Sequence, residues 1–290
     1  MNETILGIDI GATNIHFGAV RGDQIIKDWS LPTSADAPKE QIIAEIIQGV
    51  EKFENLNFSG IGVGVPGLVD EEQGIIYDLW NIPSWKEVFL KKHLEAHFQK
   101  PVRITNDANT FALGEKYFGK GKPYANMVGI CLGSGFGTGI IIDHKLYSGT
   151  LSSAGELADI PYLDKTIEDY CSGKFFRNEY RMEGFEVYQL AKQNDAGALA
   201  IFREYGMHLG KAIKIIFSVL SPQAVFLGGS ISKSYSFFET GLQEQIDLFP
   251  FKRVTNKLVI EPSETENISI LGAAALIKSE NKVSQANLTS

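Results

Sequence analysis

The chain has 290 residues and a formal net charge of −8, with 44% hydrophobic and 21% charged residues. That length buries a substantial core and suits one large domain or two smaller ones. The acidic balance, with no basic tract to offset it, excludes a surface built to hold nucleic acid or an anionic membrane.

Met1-Asn2-Glu3-Thr4 leads straight into Ile5-Leu6-Gly7-Ile8 with no positive leader region and no cleavage site, so no signal peptide is expected. No apolar run reaches membrane-spanning length. Cys131 and Cys171 are too few for a disulfide framework or a cysteine-rich zinc site. A cytoplasmic enzyme is the expectation, and the Asn-x-Ser/Thr triplets at Asn57, Asn267 and Asn287 read as chance matches.

Residues 5–10, 14–20 and 24–28 read as three strands, the last two joined as a hairpin across Arg21-Gly22-Asp23. The spacing of Ile43, Ile46, Ile47, Val50 and Phe53 describes an amphipathic helix. Residues 61–65 form a short buried strand running into Pro66-Gly67, and an acidic excursion follows at residues 70–73. Ser84-Trp85-Lys86-Glu87 has capping-box spacing and predicts a helix from there to about Gln99. After Pro101, Val102 and Ile104 mark a strand that passes into a helix over residues 108–117, so Asn106 and Asp107 fall at the junction. Ligands of open α/β folds bind at such strand ends. Asp107 therefore has two readings, a helix cap or a functional carboxylate.

Val128-Gly129-Ile130-Cys131-Leu132-Gly133-Ser134 overlays Leu6-Gly7-Ile8-Asp9-Ile10-Gly11-Ala12, and a further strand and a hairpin turn follow each. The repeat predicts two related α/β domains facing one another across a cleft. Residues 166–177 are expected to be helical, and a long helix over residues 198–220 ends at Ser221-Pro222. Ala224-Val225-Phe226-Leu227 is another buried strand, entering Gly228-Gly229-Ser230. A last helix passes through Gly272-Ala273-Ala274-Ala275, and the polar residues after Lys278 are expected to fray.

Three glycine turns each follow a buried strand. In Gly133-Ser134-Gly135-Phe136-Gly137-Thr138-Gly139, successive backbone N–H groups are able to cradle phosphate oxygens. The turn has neither the Gly-Lys-Ser/Thr of a Walker loop nor the spacing of a dinucleotide fingerprint. In Asp9-Ile10-Gly11-Ala12-Thr13, Thr13 offers a hydroxyl to phosphate and Asp9 a carboxylate to magnesium, through water. Gly228-Gly229 leaves room for a flat base or ribose.

Asp9-Ile10-Gly11-Ala12-Thr13-Asn14, Asn106-Asp107-Ala108-Asn109, Leu132-Gly133-Ser134-Gly135-Phe136-Gly137-Thr138-Gly139, Ala154-Gly155-Glu156-Leu157 and Leu227-Gly228-Gly229-Ser230 resemble, in order, the motifs of the ROK sugar kinases. The resemblance runs from about residue 5 to residue 276. It implies a duplicated actin-like, ribonuclease H-like ATPase fold with two domains around a central cleft. Residues 1–108 would form a smaller N-terminal domain and 109–290 a larger C-terminal one, with the last helix packing back on the first. It further implies Asp107 as the base for the attacking sugar hydroxyl. Sugar ligands would be Gly67, Asn81, Asn106, Glu156, Asp159 and Glu168. Asp9, Gly11, Thr13, Asn14, Gly133, Ser134, Gly135 and Gly137 would serve magnesium and phosphate, and Gly228 and Gly229 the nucleoside. The implied reaction moves the γ-phosphate of ATP to the 6-hydroxyl of a hexose, glucose first. N-acetylmannosamine or N-acetylglucosamine is the alternative acceptor, a non-catalytic sugar-binding relative a further one, and a homodimer the expected state.

The pattern breaks after Glu156. Family members often continue Leu-Gly-His and then a zinc-binding cysteine segment, whereas here Leu157-Ala158-Asp159 follows and the cysteines are absent, so no structural zinc is expected. Asp159 beside Glu156 and Glu168 would add negative charge, to be balanced by Lys165 or by an amino group on the sugar. His93 and His97 share a helix face without a visible third ligand, and Lys120-Gly121-Lys122 reads as an exposed loop. Repressors of the family carry a DNA-binding segment ahead of the kinase-like part. The first glycine turn here begins at Asp9, and a DNA-binding repressor is not expected.

Overall fold

A computed structural model describes residues 3–287, and side chains as far as Lys278. The chain begins with strands β1 (Thr4–Ile10), β2 (Asn14–Arg21) and β3 (Gln24–Pro32), helix α1 (Lys39–Glu51) and strand β4 (Ile61–Val65). Short strands β5 (Leu68–Asp70), β6 (Ile75–Tyr77) and β7 (Glu87–Val88) precede helix α2 (Leu90–Phe98), strand β8 (Val102–Asn106) and helix α3 (Asp107–Tyr117). Strands β9 (Met127–Leu132), β10 (Phe136–Ile142) and β11 (Lys145–Leu146) follow, then the hairpin of β12 (Pro161–Tyr162) and β13 (Lys165–Thr166). Helices α4 (Ile167–Cys171), α5 (Gly173–Tyr180), α6 (Gly184–Lys192) and α7 (Ala196–Leu220) lead to strand β14 (Ala224–Gly228). Helices α8 (Tyr235–Asp247) and α9 (Lys252–Thr255), strand β15 (Val259–Pro262) and helix α10 (Ile268–Asn287) complete the chain.

Two compact units share these elements. One comprises Met1–Pro123, Gly139–Ala154 and Thr265–Ser290, the other Tyr124–Thr138 and Gly155–Glu264. The chain thus changes unit after Pro123, Thr138, Ala154 and Glu264, where the sequence suggested one boundary after Ala108.

The first sheet has the order β3-β2-β1-β4-β8, with β1, β4 and β8 parallel and β2 antiparallel to both of its neighbours. The second has the order β11-β10-β9-β14-β15, with β9, β14 and β15 parallel. Strand for strand the two orders match, so the repeat read from seven residues extends over both sheets. The parallel strands β4 and β14 are buried along their whole length, which is why they read as unbroken apolar runs.

In the first unit, α1 buries Ile42, Ile43, Ile46 and Val50, and the Phe17 ring lies against Phe53 and Trp29. Ser84-Trp85-Lys86-Glu87 does not open a helix. The Ser84 hydroxyl donates to the Ala37 carbonyl at 2.9 Å, Trp85 is fully buried, and Glu87 pairs with Tyr77 in the sheet. Helix α2 starts later, at Leu90, and its N-cap residue Phe89 makes no side-chain hydrogen bond. Burial of Trp85 outweighs a cap of about 1 kcal/mol.

In the second unit, α4 and α5 split the predicted helical segment at Ser172, and Phe175, Phe176, Phe202, Tyr205 and Phe238 form an aromatic core. Helix α7 ends at Leu220 with Ser221 left-handed, and Pro222 cannot continue the helix. Helix α10 continues to Asn287, past the point where polar composition suggested fraying.

Helix α10 approaches the first sheet and α3 at backbone contact. A Cβ on Gly62 would stand 1.8 Å from the Ala273 carbonyl oxygen, and one on Gly272 only 1.7 Å from that of Thr110. No side chain fits there, so Gly272→Ala is expected to destabilise the protein by about 3 kcal/mol through overpacking. Chemical denaturation of the variant checks it. A loss below ~0.5 kcal/mol would mean that the helix contact yields.

Candidate functional site

Asp9 lies near the end of β1, opposite His16 on β2 and beside Gly64 on β4. The strand then turns tightly: the Gly11 N–H donates to the Asn14 carbonyl at 2.9 Å, and the Thr33 hydroxyl donates to the Gly11 carbonyl at 2.8 Å. Asn14 is half-buried at the start of β2 and Thr13 is exposed at the turn.

Strand β8 lies on the far side of β4 and delivers Asn106 and Asp107 to the start of α3. Asn106, rather than Asp107, caps this helix. Its Oδ1 accepts the Ala108 N–H at 2.9 Å and its Nδ2 donates to the Gly67 carbonyl at 3.1 Å. Gly67 has φ +88°, a conformation that glycine adopts without strain. Asp107 is the first helical residue, and its Oδ1 also accepts the Ala108 N–H. The strand end is braced by Glu71, which accepts hydrogen bonds from Thr105, from Ser148 at 2.9 Å and from Ser152 at 2.9 Å.

Burial, and then the charge of Asp107, push the Asp9 carboxyl up to about 7. Asp107 is likewise raised by burial, opposed by the Ala108 N–H. Neither carboxyl therefore keeps the ordinary acidity of an exposed aspartate. Asp9 offers hard oxygen donors of the kind that would suit a divalent cation such as magnesium, whose charge would favour the ionised carboxylate. Among the described residues, no three His, Cys, Asp or Glu side chains form a metal-binding cluster.

In the second unit, the Gly133 to Gly137 turn follows β9. The Gly133 N–H donates to the Gly135 carbonyl at 3.1 Å, and the Gly173 N–H donates to the Gly133 carbonyl at 2.7 Å. A Cβ on Gly133 would meet nothing within 4 Å, so packing does not demand glycine there, while Ser134 is exposed and Gly137 half-buried in β10. Gly228 ends β14 opposite Cys131. Gly229 has φ +83°, and a Cβ there would stand 2.3 Å from the Leu132 carbonyl, so this second turn lies against the end of β9.

Glu168, in α4, is joined to the first of these turns: its Oε2 accepts the Phe136 N–H at 3.1 Å. Its Oε1 is 2.6 Å from Lys174 Nζ. Lys174, which sequence reasoning missed, is the cation beside these carboxylates. Its pKa is raised by the hydrogen bond to Glu168 above all, with charges of Glu168, Asp169 and Asp159 adding to it. Lys165, the expected counter-charge, instead pairs with Glu179 at 2.6 Å. The break between α4 and α5 returns Lys174 to Glu168, and no spacing rule reveals that break.

Glu156 and Asp159 are exposed, as is Asn81, on the turn next to Trp80, which is 93% exposed. The structure therefore puts Asp9 within electrostatic reach of Asp107, hydrogen-bonds Asn106 to Gly67, and ties Glu168 to the turn at Gly133. It leaves Asn81 on an exposed turn apart from these groupings.

The family model described as the ROK family matches residues 5–280, and the chain belongs to that family. It is 28% identical to a glucokinase of Thermotoga maritima, covering 94% of this chain and 97% of that one. An N-acetyl-D-glucosamine kinase of Aliivibrio fischeri is 29% identical, over 80% and 86% of the two chains. A xylose repressor of Bacillus subtilis is 28% identical, over 75% of this chain and 60% of the repressor. Among solved structures, a ROK family glucokinase from Streptomyces griseus, in complex with glucose and AMPPNP, superposes with a TM-score of 0.79 at 26% identity, covering 94% and 98% of the chains. The matched sheets are those of the duplicated actin-like ATPase fold. Among the described residues no helix is long and apolar enough to cross a membrane.

Asp9 holds its proton more tightly folded than unfolded, so the ligand-free protein loses stability as pH rises from about 4 towards 7. Asp9→Asn removes that loss. Melting the two proteins at pH 5 and pH 8 is expected to show the variant gaining ~1–3 kcal/mol on the wild type at the higher pH, with magnesium narrowing the gap. Parallel pH profiles would contradict the raised carboxyl.

Proposed function

We propose that this protein is an ATP- and magnesium-dependent hexose kinase that phosphorylates the 6-hydroxyl, with glucose as its preferred acceptor and Asp107 as general base. The observation that carries the reading is the placement of Asp107 at the end of β8, first in its helix and beside Asp9, with Asn106 taking the capping role. Asp107 accepts the proton of the 6-hydroxyl as the sugar oxygen forms its bond to the γ-phosphorus. The bond from that phosphorus to the β,γ-bridging oxygen breaks, and ADP leaves with the electron pair. Phosphoryl transfer asks for alignment and neutralised charge more than for a strong base. A carboxyl raised by burial also accepts a proton more readily than an ordinary aspartate.

Magnesium, when bound, neutralises phosphate charge, and Asp9 would hold it through water. The Gly133 to Gly137 turn and Thr13 would receive the phosphates, and the turn at Gly228 and Gly229 the nucleoside. Asn106, Glu156 and Glu168 suit a polyol, whose hydroxyls both donate and accept. Asn81 and Asp159, both exposed, would reach the sugar from loops.

The relative named as an N-acetyl-D-glucosamine kinase supports a second acceptor class, the N-acyl-hexosamines. An amino sugar is less favoured than the sequence suggested, because Lys174 already offsets the carboxylate of Glu168. The repressor relative supports a sugar-binding, non-catalytic reading.

Asp107→Asn is expected to keep sugar affinity and to lower kcat by about a hundredfold to ten-thousandfold. Calorimetry with the sugar and a coupled ADP-release assay measure the two quantities, and near-normal turnover would exclude Asp107 as base. The same assay run over glucose, mannose, glucosamine, N-acetylglucosamine and N-acetylmannosamine is expected to rank glucose first in kcat/KM. An N-acyl sugar in first place would move the assignment to the second class. Sugar binding without ADP release from any acceptor would favour the regulatory reading.

A further inference from the structure

Within the Gly133 to Gly137 turn, the Phe136 N–H is already engaged by the Glu168 carboxylate at 3.1 Å. A Cβ built on Gly135 would stand 2.9 Å from the same Glu168 oxygen, so the carboxylate lies directly against the turn. An anion there opposes the approach of a phosphate chain, because like charges a few ångströms apart repel strongly when partly desolvated. A turn meant to receive phosphate therefore has a charge problem that its backbone amides do not solve.

Lys174 answers it. Its ammonium is 2.6 Å from the other Glu168 oxygen, and the residue before it, Gly173, donates its N–H to the Gly133 carbonyl at 2.7 Å. The turn is thus bracketed by two ties, Gly133 to Gly173 and Phe136 to Glu168, and the lysine follows directly from one and neutralises the other. The pair is only partly covered, with Lys174 43% and Glu168 24% exposed, so a ligand can reach it. As a fixture of stability alone, an ion pair this exposed would contribute about 1 kcal/mol or less.

We infer that Lys174 is a nucleotide-binding residue of this protein, neutralising Glu168 so that the Gly133 to Gly137 turn accepts the phosphate chain of a nucleoside triphosphate. This rests on the proposed kinase reading and adds to it a residue outside the motifs that suggested the family. The lysine is a point charge on a flexible stem, held against Glu168. Loss of its charge leaves the carboxylate uncompensated on the turn.

The test is titration of the full chain, in low salt and without sugar, with the magnesium complex of a non-hydrolysable ATP analogue. Lys174→Met is expected to weaken binding roughly threefold to tenfold, and Lys174→Arg to restore most of it. The effect should shrink at about 0.5 M salt, where exposed charges are screened. In a Glu168→Gln background, where there is no charge to neutralise, Lys174→Met is expected to cost less than about twofold. Melting temperatures measured in parallel separate lost binding from lost folding. Unchanged affinity in Lys174→Met, or an equal loss in the Glu168→Gln background, overturns the inference and leaves the kinase reading standing. A wild-type protein that binds no nucleotide would sink both.

Discussion

Two carboxylates, each partly buried and near enough for the charge of one to raise the other, set the electrostatics at the strand ends of the first sheet. The parallel order of β1, β4 and β8 places Asp9 on one outer strand and Asp107 just past the end of the other, with Gly64 on the strand between them. Neither group has its ordinary acidity, and burial is the first cause for both. Such a pair raises the energy of the empty protein, and only a rigid scaffold keeps it from relaxing apart. That rigidity comes from the backbone-to-backbone packing of α10 on β4 and α3, where Gly62 and Gly272 exclude any side chain. The cost falls when a proton arrives, which ties stability to pH through these residues.

Helix capping at the same junction falls to the residue before the aspartate. An aspartate at a strand-to-helix junction ordinarily satisfies the first free N–H groups of its helix. Here Asn106 takes that role and also holds the Gly67 turn, while Thr105, one residue earlier, is anchored to Glu71. Neighbouring residues along one strand end thus brace the β5 turn, cap the helix and present the acid.

What the sequence disclosed follows from how local each signal is. Strands β1, β4, β9 and β14 are largely apolar runs stopped by glycine turns, β8 is marked by Val102 and Ile104 ahead of its helix, and α1 and α7 have clean periodicity, so all were legible. Ser84 to Glu87 misled because a capping box is a four-residue pattern, while the burial of Trp85 is decided by the whole first core. The Lys174 pairing was invisible for a related reason: it depends on the chain breaking at Ser172 between two helices, an event set by the tie of Gly173 to Gly133. The compact units follow contacts rather than chain order, and the repeated crossings at Pro123, Thr138, Ala154 and Glu264 leave no compositional mark.

The duplication itself shows how one backbone serves two electrostatic tasks. Overlaid strand for strand, β1 carries Asp9 where β9 carries Cys131, so the first copy holds a carboxylate at the position that the second leaves uncharged. The first strand end holds two carboxyls that burial raises above their ordinary range. The second has open space at Gly133 and a Glu168 carboxylate balanced by Lys174. Sheet order is thus kept while the charge at the strand ends differs between the two copies.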